Sequence, residues 1–429
     1  MDNKKIIGIT IFIILIVVIT GIYFIGGSLE EQPGGEVKIT KSNIYDMDRR
    51  NITENIDVPG YTTVYVAVGG GKEGFLDDPE INKILIDKYK LNVVYDDWSN
   101  GKLVLWPTIR EAVGRGDKSI TNGKDLTIKS EGVTPYDAIF PSDLRYYNYY
   151  GISANKEKGE ADRFRVQGGS LTLNTPIVVY SWAEYTDALI KEGIVTERDG
   201  SYFITDMDKL LKIMEDKVKW TELGVSENSQ AVDIRSVDPV VSSPGATYYG
   251  LLLSIFCDAN MTDENIIEHL PELREYYQKA GALLRTPSDL FMKYLYERVP
   301  LIVDYEKSVV DLANSDTKNF EPIRNDLRIL YPEPTMYNSH CYEYFTANGK
   351  LLFDAYQDPE IQKIAWNKYG FRMGVSIDME EANKLGIGIT ARLTNLVDGL
   401  KMETYDKLIA YIGEKDDVKA NNILHDIEN

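Results

Sequence analysis

Serines, glycines and acids gather at a few turns of this chain, and their types limit what each turn can do. In "VDPVVSSPGATYYGLLLSIF" a short β-type run from Val232 ends at Asp238-Pro239, and an apolar helical pattern begins after Ser242, Ser243 and Gly245. Serines at a helix start can accept hydrogen bonds from first-turn N–H groups. The same turn can instead aim hydroxyls and N–H groups at a ligand's oxygen atoms, helped by the positive end of the helix dipole. Gly245 would then let a ligand come close to the backbone. The turn Gly69 to Lys72 offers the backbone of Gly70 and Gly71 with Lys72 as countercharge; the alternative is a flexible turn with a solvated lysine. Ser142 and Asp143 follow "YDAIFP" and could hold a ligand, or form a capping or Asx turn. Ser181-Trp182 and Asp304-Tyr305-Glu306 end further strands. Trp182 reads as packing, whereas the Tyr305 hydroxyl could meet a ligand or seal the interior.

Other chemistries lack their residues. His269, His340 and His425 are scattered, and no Cys/His spacing suits a metal. The acidic "FLDDPE" lacks the closing Glu of a calcium loop. The glycine turn lacks GxxxxGK[ST], and there is no G-x-S-x-G or H-E-x-x-H. The expectation is a binding protein with no catalytic residue, metal or cofactor. Cys257 and Cys341 could form a disulfide or stand as separate buried thiols.

The elements that must position these turns alternate strand and helix. "YTTVYVAVGGGKEGFLDDPEINKILIDKYKLNVVY" parses as strand Thr63–Val68, helix Pro79–Tyr89 and strand Leu91–Tyr95. "PYDAIFPSD" is a short strand and turn. "NTPIVVYSW" carries a strand over Ile177–Tyr180. Apolar residues Leu210, Leu211, Ile213, Met214 and Val218 mark an amphipathic helix. A helix capped by Ser288 or Asp289 leads to strand Leu301–Val303 and a turn at Asp304–Glu306. "DLRILYPEPTMYNSHCYEYF" is a strand that breaks at prolines and resumes, and the chain from Asp358 is mostly helical. No internal repeat and no low-complexity segment is expected. In open α/β sheets ligands bind outside the carboxyl ends of strands, where these turns lie.

At 429 residues the chain is too long for one ordinary core, so two lobes are expected. The net charge of −20 argues against nucleic acid as a partner. The segment Ile6–Ile25 carries no charge and is long enough to span a bilayer core of about 30 Å. Lys4 and Lys5 before it and Glu30 and Glu31 after it place the rest of the chain outside the cytoplasm. Residues 1–28 therefore read as a signal-anchor or transmembrane segment, with secretion if it is cleaved, and 29–60 as a tether and the entry to the first lobe.

The stretches "VYVAVGGGKEG", "YDAIFPSD", "TPIVVYSW", "SVDPVVSSPG", "VPLIVDYEKSVVDL" and "ILYPEPT", in this order, resemble bacterial extracellular solute-binding proteins of the type II periplasmic-binding fold. The nearest branch is that of molybdate- and sulfate-binding proteins. The resemblance implies two α/β lobes joined by crossing strands: lobe 1 from 43–172 plus 330–429, and lobe 2 from 173–329. It implies closure around a small oxygen-rich ligand, an oxyanion or small organic molecule, and delivery to an ABC-type permease. Asp143, where relatives carry a second serine, makes a hydroxyl- or amine-bearing ligand the alternative. A tethered sensor or scaffold on the same fold is the alternative, and an enzyme would need an acid/base pair across the cleft.

Overall fold

The computed structural model describes residues 36–40, 60–97, 119–121, 127–131, 136–142, 167–258, 260–373 and 402–428. The segment 1–28 lies outside them, and among the described residues no helix is long and apolar enough to cross a membrane. Strand β1 (Glu36–Thr40) alternates β-branched and charged residues and pairs in parallel with β5 (Thr127–Glu131), which pairs antiparallel with β4 (Ser119–Thr121).

The main sheet is built from β2 (Thr62–Val68), β3 (Leu91–Asp97), β6 (Ala138–Phe140), β7 (Gly168–Trp182), β8 (Val195–Arg198), β9 (Ser201–Ile204), β10 (Leu301–Tyr305), β11 (Leu327–Pro332) and β12 (Tyr337–Tyr344). Its order is β3-β2-β6-β12-β7-β11-β9-β8, with β10 also on β7. The expected β-loop-α-β unit at the start is present: β2 and β3 run parallel, joined through the helix Pro79–Asp87.

Strand β7 is much longer than Ile177–Tyr180 and organises the molecule. Its first part, to Pro176, pairs with β12, and Ile177 onward pairs with β10 and β11. Residues Ile177–Trp182 are buried on both faces, so the usual in-out alternation is lost and only the apolar run is visible in the sequence. Each part of β7 serves a different core. The larger core packs Val179, Trp182, Leu252, Leu270, Tyr294 and Val310. The smaller packs Val66, Phe140, Tyr342, Leu352, Ile361 and Phe371.

One helix cap needs correction. The helix Pro287–Glu297 is capped by Thr286, not Ser288 or Asp289: Asp289 N–H donates to the Thr286 hydroxyl at 3.2 Å. The helices Met402–Gly413 and Asp417–Glu428 pack on the larger core. Leu408, Tyr411, Ile412 and Ala420 enter the larger core, and Arg274 on the helix Asp263–Lys279 donates to the Glu414 carbonyl at 2.7 Å and pairs with Asp417. An amphipathic helix fixes its own apolar stripe but not the surface that covers it.

Contrary to the expectation of no internal repeat, the chain contains one short repeat. Asp78–Tyr89 and Asp358–Tyr369 share Asp-Pro-Glu-Ile-x-Lys-Ile-x-x-x-Lys-Tyr. Each forms a helix with the Asp as N-cap and the Pro in the first turn, and the two pack together. Their ends are joined reciprocally. Asp78 Oδ2 accepts from Lys368 at 2.9 Å and the Tyr369 hydroxyl at 2.6 Å; Asp358 Oδ2 accepts from Lys88 at 2.5 Å and the Tyr89 hydroxyl at 2.7 Å. The motif works at both places because an acid at the positive end of one helix meets a lysine at the negative end of the other.

Candidate ligand-binding site

The glycine turn after β2 is closed by the chain itself. Gly71 has φ +84°, a conformation that favours glycine, and its N–H donates to both carboxylate oxygens of Glu73 at 2.9 Å. Lys72 is buried, donates to the Gly69 carbonyl and lies 5.0 Å from the centre of the Phe140 ring. Of the groups expected to offer backbone N–H donors with Lys72 as countercharge, the Gly71 N–H is thus taken by Glu73 and the Lys72 ammonium by a carbonyl of the same turn. A carboxylate two residues away on the same chain reaches this N–H with little loss of freedom. Gly70 and Gly71 remain exposed, and Glu73 is half-buried.

Ser142 is half-buried just beyond β6, and Asp143 lies outside the described residues. Ser181 is a correction: it is fully buried inside β7 between β10 and β11, with its hydroxyl on the Trp182 carbonyl at 3.3 Å. Trp182 packs, as expected, stacked 4.5 Å from Tyr294.

At the serine turn the helix runs Ser243–Phe256, with Ser242 in the N-cap position at φ −136°, ψ 128°. Side-chain capping does not describe it, and the space at Gly245 is taken by the chain's own backbone. No side chain caps this helix, and there is no acid in its first turn. A Cβ on Gly245 would sit 2.4 Å from the Val237 carbonyl oxygen and 2.9 Å from Pro239 N. The glycine is needed because the β-type run 232–237, held by bridges from Arg235 to Ile302 and Val237 to Leu284, crosses the helix start at backbone contact. Ser242 and Ser243 are half-buried.

The expected turn Asp304–Glu306 is a buried polar knot. Tyr305 ends β10, and its carbonyl accepts the Tyr180 hydroxyl at 2.8 Å. Asp304 accepts from the Ser308 hydroxyl at 2.8 Å and the Tyr305 N–H at 2.7 Å; burial pushes its carboxyl up to about 6 despite those bonds. Glu306 is fully buried and takes Arg372 in a forked pair at 2.8 and 2.6 Å, plus the Tyr331 hydroxyl at 2.6 Å.

Sequence reasoning passed over His340, Asn338, Lys307 and Phe371, which link these two regions. His340 lies on β12, buried, with Nε2 accepting from Asn338 Nδ2 at 3.3 Å. Asn338 and His340 are two residues apart on one strand and so share a face. The bond puts the proton on Nδ1, which has no hydrogen-bond partner among the described residues. Burial, then the charges of Lys72 and Lys307, hold the imidazole well below its ordinary value of 6.5, so it is neutral. Its ring meets Phe371 edge-on at 5.2 Å, and Cε1 lies 3.9 Å from where a Gly71 Cβ would be. Lys307 lies 5.3 Å over the same Phe371 ring, and its N–H donates to Thr175 on β7 at 3.2 Å. A contiguous path thus runs from the glycine turn through His340 and Phe371 to the helix Lys307–Ser315. Phe371 belongs to the smaller core, and Val309 and Val310 of that helix belong to the larger. A lone histidine with no Cys/His spacing offers no signal for this in one dimension. The groove between the twin helices, lined by Ile84 and Ile364, includes none of the residues nominated from the sequence.

No protein-family model matches the chain, and no curated protein matches it in sequence. Solved structures do match. A maltose-bound protein of T. maritima, MalE3, aligns with TM-score 0.50 and 12% identity over 85% of this chain and 99% of its own. The substrate-binding protein of an ABC transporter from Agrobacterium tumefaciens gives 0.45 and 14%, over 85% and 95%. The sulfate-binding protein SubI of Mycobacterium tuberculosis gives 0.40 and 13%, over 75% and 90%. The chain has an α/β fold that matches periplasmic solute-binding proteins.

Proposed function

We propose that the protein is an extracytoplasmic solute-binding protein, held at the membrane by residues 1–28, that closes two lobes around a small oxygen-rich ligand and presents it to an ABC-type permease. The observation that carries this reading is the division of one sheet into two cores. Only β7 and the β11–β12 passage lead strands from one to the other among the described residues, and His340 and the Glu306–Arg372 pair lie where the two meet. Two rigid bodies on shared strands can rotate against each other, and a ligand that contacts both stabilises the closed form. The lobes follow the cores, so residues 402–428 go with the larger one. The match to a maltose-bound protein supports the same reading through the fold.

The test is a thermal-shift panel on the full chain in detergent, with oxyanions, organic acids, amino acids and sugars. A ligand at 100 times its Kd stabilises the native state by about 2.7 kcal/mol. X-ray scattering with that ligand should show a smaller radius of gyration. Stabilisation by none of these classes would refute the reading.

A further inference from the structure

We propose that Glu73 and His340, on either side of Gly71, form a donor–acceptor pair that selects a neutral polyhydroxyl ligand, a sugar or polyol, over an oxyanion. The inference rests on the binding function proposed above and narrows its ligand. Both groups are tied to one residue: Glu73 holds the Gly71 N–H at 2.9 Å through both oxygens, and the His340 ring lies 3.9 Å from the Gly71 Cβ position. A Cβ there would meet no nearer atom among the described residues, so the missing side chain leaves space beside the ring.

The chemistry of the pair follows from what each atom can do. A carboxylate accepts and does not donate, and Glu73 has lone pairs beyond those facing Gly71. His340 is turned the other way. Asn338 occupies Nε2, so Nδ1 presents a buried N–H without an acceptor among the described residues. Such a donor is rare in a native protein unless something outside the chain meets it. An oxyanion would satisfy His340 but be repelled by Glu73, which already occupies the anion position of the glycine turn. An amine would satisfy Glu73, but once protonated it cannot accept from His340. A hydroxyl does both: it donates to Glu73 and accepts from His340.

The test is isothermal titration of the full chain in detergent with maltose and mannitol on one side and sodium sulfate and citrate on the other. A neutral probe should bind, with affinity independent of salt. Glu73→Gln keeps an acceptor for Gly71 but loses the charge, and should weaken that binding about tenfold or more. His340→Phe keeps a ring against Phe371 and should weaken it similarly; Glu73→Gln, at an exposed turn, keeps the test decisive if His340→Phe fails to fold. Neutral-probe binding unchanged in Glu73→Gln overturns the inference, as does wild-type preference for sulfate or citrate; either leaves the binding function standing. If no probe of either kind binds, the inference is overturned as well, and stabilisation by another class in the thermal-shift panel would show that the binding function survives it.

Discussion

The twin helices and the serine-turn helix begin alike in sequence and differently in space. Each carries a polar residue at the N-cap and a proline in the first turn. At Pro79–Asp87 and Pro359–Tyr369 the cap is an acid that accepts first-turn N–H groups and also holds a lysine and a tyrosine from the opposite helix. At Ser243–Phe256 no side chain caps the start, which is pinned by contact between Gly245 and the strand-like run before it. One kind of start is secured by charge and hydrogen bonding, the other by shape. A capping residue type therefore announces a helix start but not the force that holds it.

The largest effect should come from removing a charged cap. Asp78→Ala takes acceptors from Glu80 and Ile81 N–H, the Tyr369 hydroxyl and Lys368 at once. We expect a loss of about 2–4 kcal/mol, moderated because Lys368 can turn to solvent. The reciprocal Asp358→Ala should cost a similar amount, and the pair together less than the sum, measured by urea denaturation. Strict additivity would break the view of the twins as one unit.

Next comes the start held by shape. Gly245→Ala places a methyl group 2.4 Å from a carbonyl oxygen and should cost about 1–3 kcal/mol. A neutral result would mean that the strand-like run yields easily, and the distinction would fail.

The third prediction uses pH. Burial raises the Asp78 and Asp358 carboxyls, but bonds from Tyr369 and Lys368, and from Lys88 and Tyr89, outweigh it and hold both below the usual 3.8. Their stabilisation is full above the unfolded value and is lost as pH falls through the lower folded one. Asp304 has the opposite sign. Its folded value of about 6 lies above the ordinary 3.8, so stability declines as pH rises from about 4 through 6. Asp304→Asn should raise neutral-pH stability by about 1–2 kcal/mol and flatten that decline, read as the denaturation midpoint against pH. An unchanged profile would show the carboxyl finds solvent or a cation.

The smallest effect should be at the serines. Without a cap bond to lose, Ser242→Ala and Ser243→Ala should each stay within about 0.5 kcal/mol in melting. A loss near 1 kcal/mol would restore capping and erase the contrast with the aspartates.

Much of the fold was legible because its signals are local. Strands at Thr62–Val68 and Leu91–Asp97 and the helix between them follow from apolar runs and an Asp-Pro-Glu start. The serine turn is legible as the beginning of a helix, and Gly245 as a residue without a side chain at that start. What approaches is the chain's own Val237, and no local signal distinguishes that from a ligand. The glycine turn is similarly legible as a turn, but not what its N–H groups meet. Glu73 stood two residues from Gly71 in plain view, yet only its rotamer decides that it fills the anion position.

By itself, the sequence determined the alternation of strand and helix, the need for more than one core, and which turns carry polar groups. These depend on composition and on neighbours a few residues away. The tertiary structure alone decided that Ser181 is interior and that residues 402–428 cover the larger core. It alone brought Lys88 to Asp358, and His340 to Gly71. These pairings join residues hundreds of positions apart, and their energy comes from burial and mutual neutralisation. Those exist only once the sheet has set the distances.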